Sequence, residues 1–252
     1  MKRGQERPFR LRCEGPGVAL ALGVWLAASV DEPDPIERSA AERGAALFSD
    51  PALSRNQFNP FSCATCHATA QHPEAGRRLP GASLDGVVAR PSFWGGQEGD
   101  LLRSVNHCLR IFMLDSQGLA RGDARAGDLY AFLEALPPTQ PGAAPFTVVG
   151  AVQDVPVGDG ARGEDLYRRA CLSCHGTPTD GAGRLPGASL LPEETIAEHG
   201  EYGPLELRLT VIEKIRHGSF LGYAGRMPPF SVETLSDEEV GDLLTYLGFL
   251  VP

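Results

Sequence analysis

The chain has 252 residues, of which 42% are hydrophobic and 22% charged, an ordinary globular composition that excludes a disordered or collagen-like protein. Its formal net charge of −9 argues against nucleic acid as a partner. With 7% aromatics and no long period-two alternation, a strand-rich sandwich is excluded in favour of an all-α fold, and the 30 glycines and 21 prolines predict extensive loop.

Residues 1–29 read as an export signal. A basic start (Lys2, Arg3, Arg7, Arg10, Arg12) precedes an apolar run from Val18 to Ala28 and the small residues Ala27, Ala28 and Ser29. The run falls well short of the ~20 residues a spanning helix needs, so no membrane span is expected once the signal is removed. Cys13 leaves with it. The rest is more acidic still, and Lys214 is its sole lysine.

Beyond the signal, an opening helix is expected around Gly44–Phe48, followed by Cys63-Ala-Thr-Cys66-His67 and, at 78–84, the heptapeptide Arg-Leu-Pro-Gly-Ala-Ser-Leu. Residues 100–114 carry helical periodicity, with Leu101, Val105, Cys108, Leu109 and Phe112 on one arc and His107 opposite, as a solvent-facing or capping residue. A closing helix is predicted at Ala126–Leu136, stopped by Pro137. Residues 138–160, rich in proline and glycine, read as a linker. Then the order repeats. An opening helix at Arg162–Ala170 leads to Cys171-Leu-Ser-Cys174-His175, the identical heptapeptide at 184–190, and a closing helix at Asp237–Leu250 capped by Ser236. Gly127-Asp-Leu129 recurs as Gly241-Asp-Leu243. Matched landmarks in the same order mean duplication, with one module at 30–137 and a second at 161–252.

The Cys-x-x-Cys-His unit carries the chemistry. Two thiols on one helical turn can form thioether links to the two vinyl groups of a haem, and the histidine beside the second is thereby placed under the iron. A zinc ribbon would set its two cysteine pairs about 15 to 20 residues apart, far closer than here. Two haem c groups are therefore expected, held by Cys63 and Cys66 and by Cys171 and Cys174, with His67 and His175 as axial ligands.

With two such units and their helices, the chain resembles tandem class I cytochromes c over essentially all its length past the signal. The resemblance implies two all-α modules, each wrapped around one covalent haem, with a second iron ligand from the loop before each closing helix. In the second copy Arg226-Met227-Pro-Pro-Phe230 resembles the Met-Pro-Pro-Phe loop of such cytochromes and points to Met227. In the first copy spacing does not choose between Cys108 and Met113. The segment Asn106-His-Cys108-Leu-Arg-Ile-Phe-Met113 resembles the Asn-x-Cys-x4-Met segment of thiosulfate dehydrogenases and Sox-type cytochromes, which implies Cys108 as ligand with Met113 as the alternative.

A second resemblance lies in Gly44–Ser54 and Ser62–His67, similar to the opening of dihaem bacterial cytochrome c peroxidases and faintly extended by Pro91–Gly95. It implies an acid–base group near one haem, for which His72 and Glu74 are candidates, while Phe93 and Trp94 are expected as apolar haem wall. The expectation is a periplasmic dihaem cytochrome passing single electrons between redox protein partners. The alternative is an enzyme, thiosulfate-oxidising or peroxide-reducing, acting on a small inorganic substrate.

Overall fold

The computed structural model describes residues 38–70, 76–137, 142–147, 149–221 and 225–250. The signal segment, His72 and Glu74 lie outside the described residues. These are helical, their one β feature being an isolated bridge between Phe93 and Glu98, so the all-α class stands. Among the described residues no helix is long and apolar enough to cross a membrane.

The first half contains α1 (Ala40–Ser49), α2 (Cys63–Cys66), α3 (Leu101–Ile111) and α4 (Ala124–Glu134). Ser39 and Glu42 form a capping box at the start of α1, and Asp100 and Asp123 cap α3 and α4, each satisfying backbone N–H groups the helix cannot. The second half contains α5 (Gly160–Ala170), α6 (Leu172–His175), α7 (Glu193–Glu198), α8 (Pro204–Leu221) and α9 (Asp237–Tyr246).

Each half is built on one crossed helix pair, and the two pairs use the same devices. Gly44 of α1 sits so close to α4 that a Cβ would run into the Asp128 carbonyl, and Gly163 of α5 stands the same way against Asp242 of α9. Only glycine allows this approach. Beside each glycine an arginine locks the crossing: Arg43 to Asp128 at 2.7 Å and Arg162 to Asp242 at 2.8 Å. One turn on, Phe48 meets Phe132 at 5.2 Å between ring centroids and Tyr167 meets Tyr246 at 5.7 Å. Separate apolar cores grow from the pairs, one around Phe48, Leu109, Met113, Leu129 and Leu133, the other around Leu166, Tyr167, Ile212, Leu243 and Leu244.

Two expectations are corrected. The closing helix of the second half stops at Tyr246 rather than Leu250, because Gly248 turns left-handed (φ +81°) and Phe249 N–H returns to the Leu244 carbonyl at 2.9 Å. The stretch expected as loop before Met227 holds α8, whose buried Arg208 and Arg216 interrupt any apolar stripe. Arg208 pairs with Asp154 at 2.6 Å and donates to the Val155 and Phe249 carbonyls at 2.7 and 2.8 Å. Arg216 donates to the Leu235 carbonyl and Asp237, both at 2.7 Å.

Both halves belong to one unit spanning Arg38–Pro252. Arg78 N–H donates to the Arg169 carbonyl at 3.0 Å and its guanidinium reaches Glu239 at 3.1 Å. The segment joining the halves is fastened to the second, Thr147 N–H to Glu233 at 3.0 Å and His217 Nε2–H to the Val149 carbonyl at 2.6 Å.

Candidate functional site

Two apolar clefts open beside the two cysteine pairs. The first, with about 1260 Å³ of atom-free space including its mouth, is lined by Cys63, Cys66 and His67 together with Val105, Cys108 and Leu109 of α3 and Phe112 and Met113 just past the helix end. The second, about 1570 Å³ on the same measure, is lined by Cys171, Cys174 and His175 together with Met227, Pro228 and Phe230. Both are lined mainly by apolar side chains with a few polar groups, the lining an organic cofactor needs. Each therefore brings together the residues assigned to one haem from the sequence.

The histidines pass a stricter test of fit. His67 Nδ1 lies 2.8 Å from the Ala82 carbonyl and His175 Nδ1 2.8 Å from the Ser189 carbonyl. A carbonyl can only accept, so Nδ1 carries the proton in both rings and Nε2 is left as a lone pair, the tautomer an iron ligand needs. Burial holds both imidazoles below the ordinary histidine value, partly offset by those carbonyls, which favours the neutral ligand form. Among the described residues no three His, Cys, Asp or Glu side chains converge on a metal ion of their own. Besides the attachment thiols, the donors are one imidazole per cleft with Cys108 or Met113 in the first and Met227 in the second, a set that fits haem iron.

The paired thiols are unbridged and half-buried. Burial pushes Cys63 up to about 11, and Cys66 and Cys171 up to about 12, so all three are neutral thiols. Cys108 is raised further, by burial first and then by Cys63 and Cys66 across the cleft. Met113, in contrast, is packed into the leucine core of the first half and is only 3% exposed. His107 lies on the outer side of α3, 3.5 Å from Glu98 and edge-on to Trp94. Trp94 and Phe93 line the first cleft, and Phe146 of the connecting segment meets Trp94 edge-on at 6.3 Å.

The identical heptapeptides do not fold identically. In the first, Gly81 N–H bonds the Cys66 carbonyl at 2.9 Å, and a Cβ there would strike the His67 ring. In the second, Leu185 N–H makes the matching bond to Cys174 at 2.9 Å, and Gly187 instead turns left-handed (φ +80°). Different residues consequently hold the two histidines.

Sequence reasoning missed three contributors. Arg90 lines the first cleft and donates to the Asp85 carbonyl at 2.8 Å and to that of Ser83 at 2.5 Å, a role its isolated position in the sequence does not announce. Gly218 bends α8 (φ +53°) so that the Met227 carbonyl can approach and accept from Ser219 N–H at 2.8 Å. Arg226 was legible only as the neighbour of Met227. Phe61, Cys66, Pro80 and Pro228 line both clefts, so the two sites share a wall.

A helical fold around two Cys-x-x-Cys-His clefts resembles that of c-type cytochromes, and residues 158–247 match the family described as Cytochrome C oxidase, cbb3-type, subunit III. The chain as a whole is similar to thiosulfate dehydrogenase of Allochromatium vinosum, at 28% identity over 248 residues that cover 93% of this chain and 84% of that protein. A shorter segment of 63 residues is 44% identical to the methylamine utilization protein MauG of Paracoccus denitrificans, covering 25% of this chain but 15% of MauG.

Proposed function

We propose that the chain is an exported dihaem c-type cytochrome, with a signal at 1–29 and modules at 30–137 and 161–252, that takes electrons from thiosulfate and passes them singly to a redox protein. Haem c, when bound, supplies a one-electron iron couple at each site. Cys63 and Cys66, and Cys171 and Cys174, would attach the two groups, and His67 with Cys108 and His175 with Met227 would hold the irons. Oxidative coupling of two thiosulfate anions releases two electrons, which matches two one-electron sites sharing a wall.

The observation that carries this reading is the first cleft, which Cys108 of α3 lines together with Cys63, Cys66 and His67, with Met113 lining it just past the helix end. A thiolate donates more strongly than a thioether, so the chain's own ligands set the first site at lower potential than the second, and electrons run from substrate side to partner side. Likeness to thiosulfate dehydrogenase along nearly the whole chain supports the substrate.

The test is anaerobic mixing of the oxidised holoprotein with thiosulfate, followed by the haem absorbance. Thiosulfate-dependent reduction that is lost in Cys108→Ala is the expected result. No reduction by thiosulfate, with turnover of hydrogen peroxide instead, selects the peroxidase alternative; inertness to both leaves an electron carrier.

A further inference from the structure

The loop that presents Met227 is held on one side by its own half: Ser219 N–H and Oγ donate to the Met227 carbonyl at 2.8 and 3.2 Å, and Phe230 N–H donates to the Ile215 carbonyl at 2.8 Å. Its other side is held by a single side chain. Arg226 Nη1 donates to the Phe58 carbonyl at 3.0 Å, Nη2 to the Pro186 carbonyl at 3.3 Å, and the guanidinium carbon stands 5.5 Å from the centre of the Phe61 ring. Phe58 and Phe61 belong to the first half, just ahead of Cys63. Pro186 belongs to the heptapeptide whose Ser189 carbonyl holds His175.

We propose that Arg226 is the positioning residue for the sixth ligand of the second site, its fork clamping the Met227 loop to the segment that fixes His175 and to the approach to the first cysteine pair. The proposal rests on Met227 as iron ligand. Two acceptors from distant segments and one aromatic face use the planar, delocalised geometry of guanidinium, and a point-charge ammonium reaches one such acceptor at a time. A thioether is a weak, neutral ligand, so its residence on iron depends on how firmly the backbone presents it. The clamp also explains why the loop carries an arginine at all, since among the described residues it makes no ion pair with any carboxylate.

The experiment compares the oxidised holoprotein with Arg226→Gln and Arg226→Ala, reading the far-red methionine-sulfur-to-ferric-iron charge-transfer band and the binding of imidazole to the second iron. Wild type should show the band and Met227→Ala should lack it; a wild type without it overturns the Met227 reading itself. With the band present, Arg226→Gln should lose about half of it and bind imidazole about tenfold more tightly, because a ligand binds an open position in proportion to the molecules that present it. Arg226→Ala should go further in the same direction. Removing a charge alone shifts a potential and leaves ligation untouched. Both variants keeping the full band and wild-type imidazole affinity would overturn the clamp.

Discussion

Gly218 and Met227 meet backbone to backbone: a Cβ on Gly218 would intrude on the Met227 carbonyl and lie 2.7 Å from Pro229 N, and the residue holds φ +53°, a conformation side chains resist. Gly218→Ala therefore meets both strain and overpacking, and should destabilise the protein by about 1–3 kcal/mol while weakening the methionine–iron band. Gly248→Ala shares a positive φ (+81°) but opens onto free space. It should destabilise through strain alone and leave the band intact. Denaturant midpoints and the far-red spectrum of the two variants separate these effects.

Covalent attachment at both cysteine pairs predicts the mass of the exported polypeptide plus two haems. The double variant Cys63→Ala, Cys66→Ala should retain one haem, on Cys171 and Cys174, and the converse variant should retain the other. Intact-mass spectrometry after acid denaturation, which strips any haem not covalently bound, reads the count directly. One haem or none in wild type would remove the dihaem reading.

What the sequence disclosed followed from range. The Cys-x-x-Cys-His turns and the opening and closing helices are local patterns made twice, so each copy corroborated the other. Helix α8 stayed hidden because Arg208 and Arg216, cations buried against backbone carbonyls, sit among its buried Val211, Ile212 and Ile215 and break the hydropathy pattern. The same holds for the seam between halves, where Arg226 and His217 donate to the carbonyls of Phe58 and Val149. Carbonyls are present at every position and carry no sequence signal. The repeated heptapeptide misled in the other direction, since identical residues took different registers once Gly81 had to pass the His67 ring and Gly187 did not.

The wall behind the first cleft has a pH signature. Asp115 is buried, which alone would raise its carboxyl, but the Arg55 guanidinium and the N–H groups of Arg55, Gly118 and Gln117 override burial and hold it far below the ordinary range. Its bonds run from 2.9 to 3.1 Å and pin residues 54–56 against 113–115, together with Ser54 Oγ to the Met113 carbonyl at 2.7 Å. A carboxyl lowered on folding contributes stability fully above its unfolded value near 3.9, and loses it as pH falls toward the folded value. Asp115→Asn should thus cost about 2 kcal/mol at pH 7, the scale of a charge-assisted hydrogen bond, and the gap to wild type should shrink below about pH 4. Guanidinium unfolding at pH 7, 4 and 3 measures it; a gap independent of pH would mean that Asp115 acts by shape rather than charge.

The identity of the sulfur opposite His67 decides most about function. Cys108 and Met113 both line the first cleft, but Cys108 lies on the helix face with Val105, Leu109 and Phe112, while Met113 follows the helix end with its carbonyl tied to Ser54. A buried neutral thiol could sit there as a small apolar group, whereas coordination to ferric iron would deprotonate it and lower the potential of that site. Low-spin EPR of the oxidised protein should then contain a thiolate-type species that vanishes in Cys108→Ala and survives Met113→Ala. Cys108→Met offers a graded version: a thioether at the same place should abolish the thiolate signal, keep the iron low-spin and raise the potential of the first site, slowing or stopping thiosulfate oxidation while electron exchange with small carriers continues. A thiolate signal persisting without Cys108, or iron that changes only when Met113 is removed, would reverse the assignment and take away the thiol on which the sulfur-oxidising reading rests.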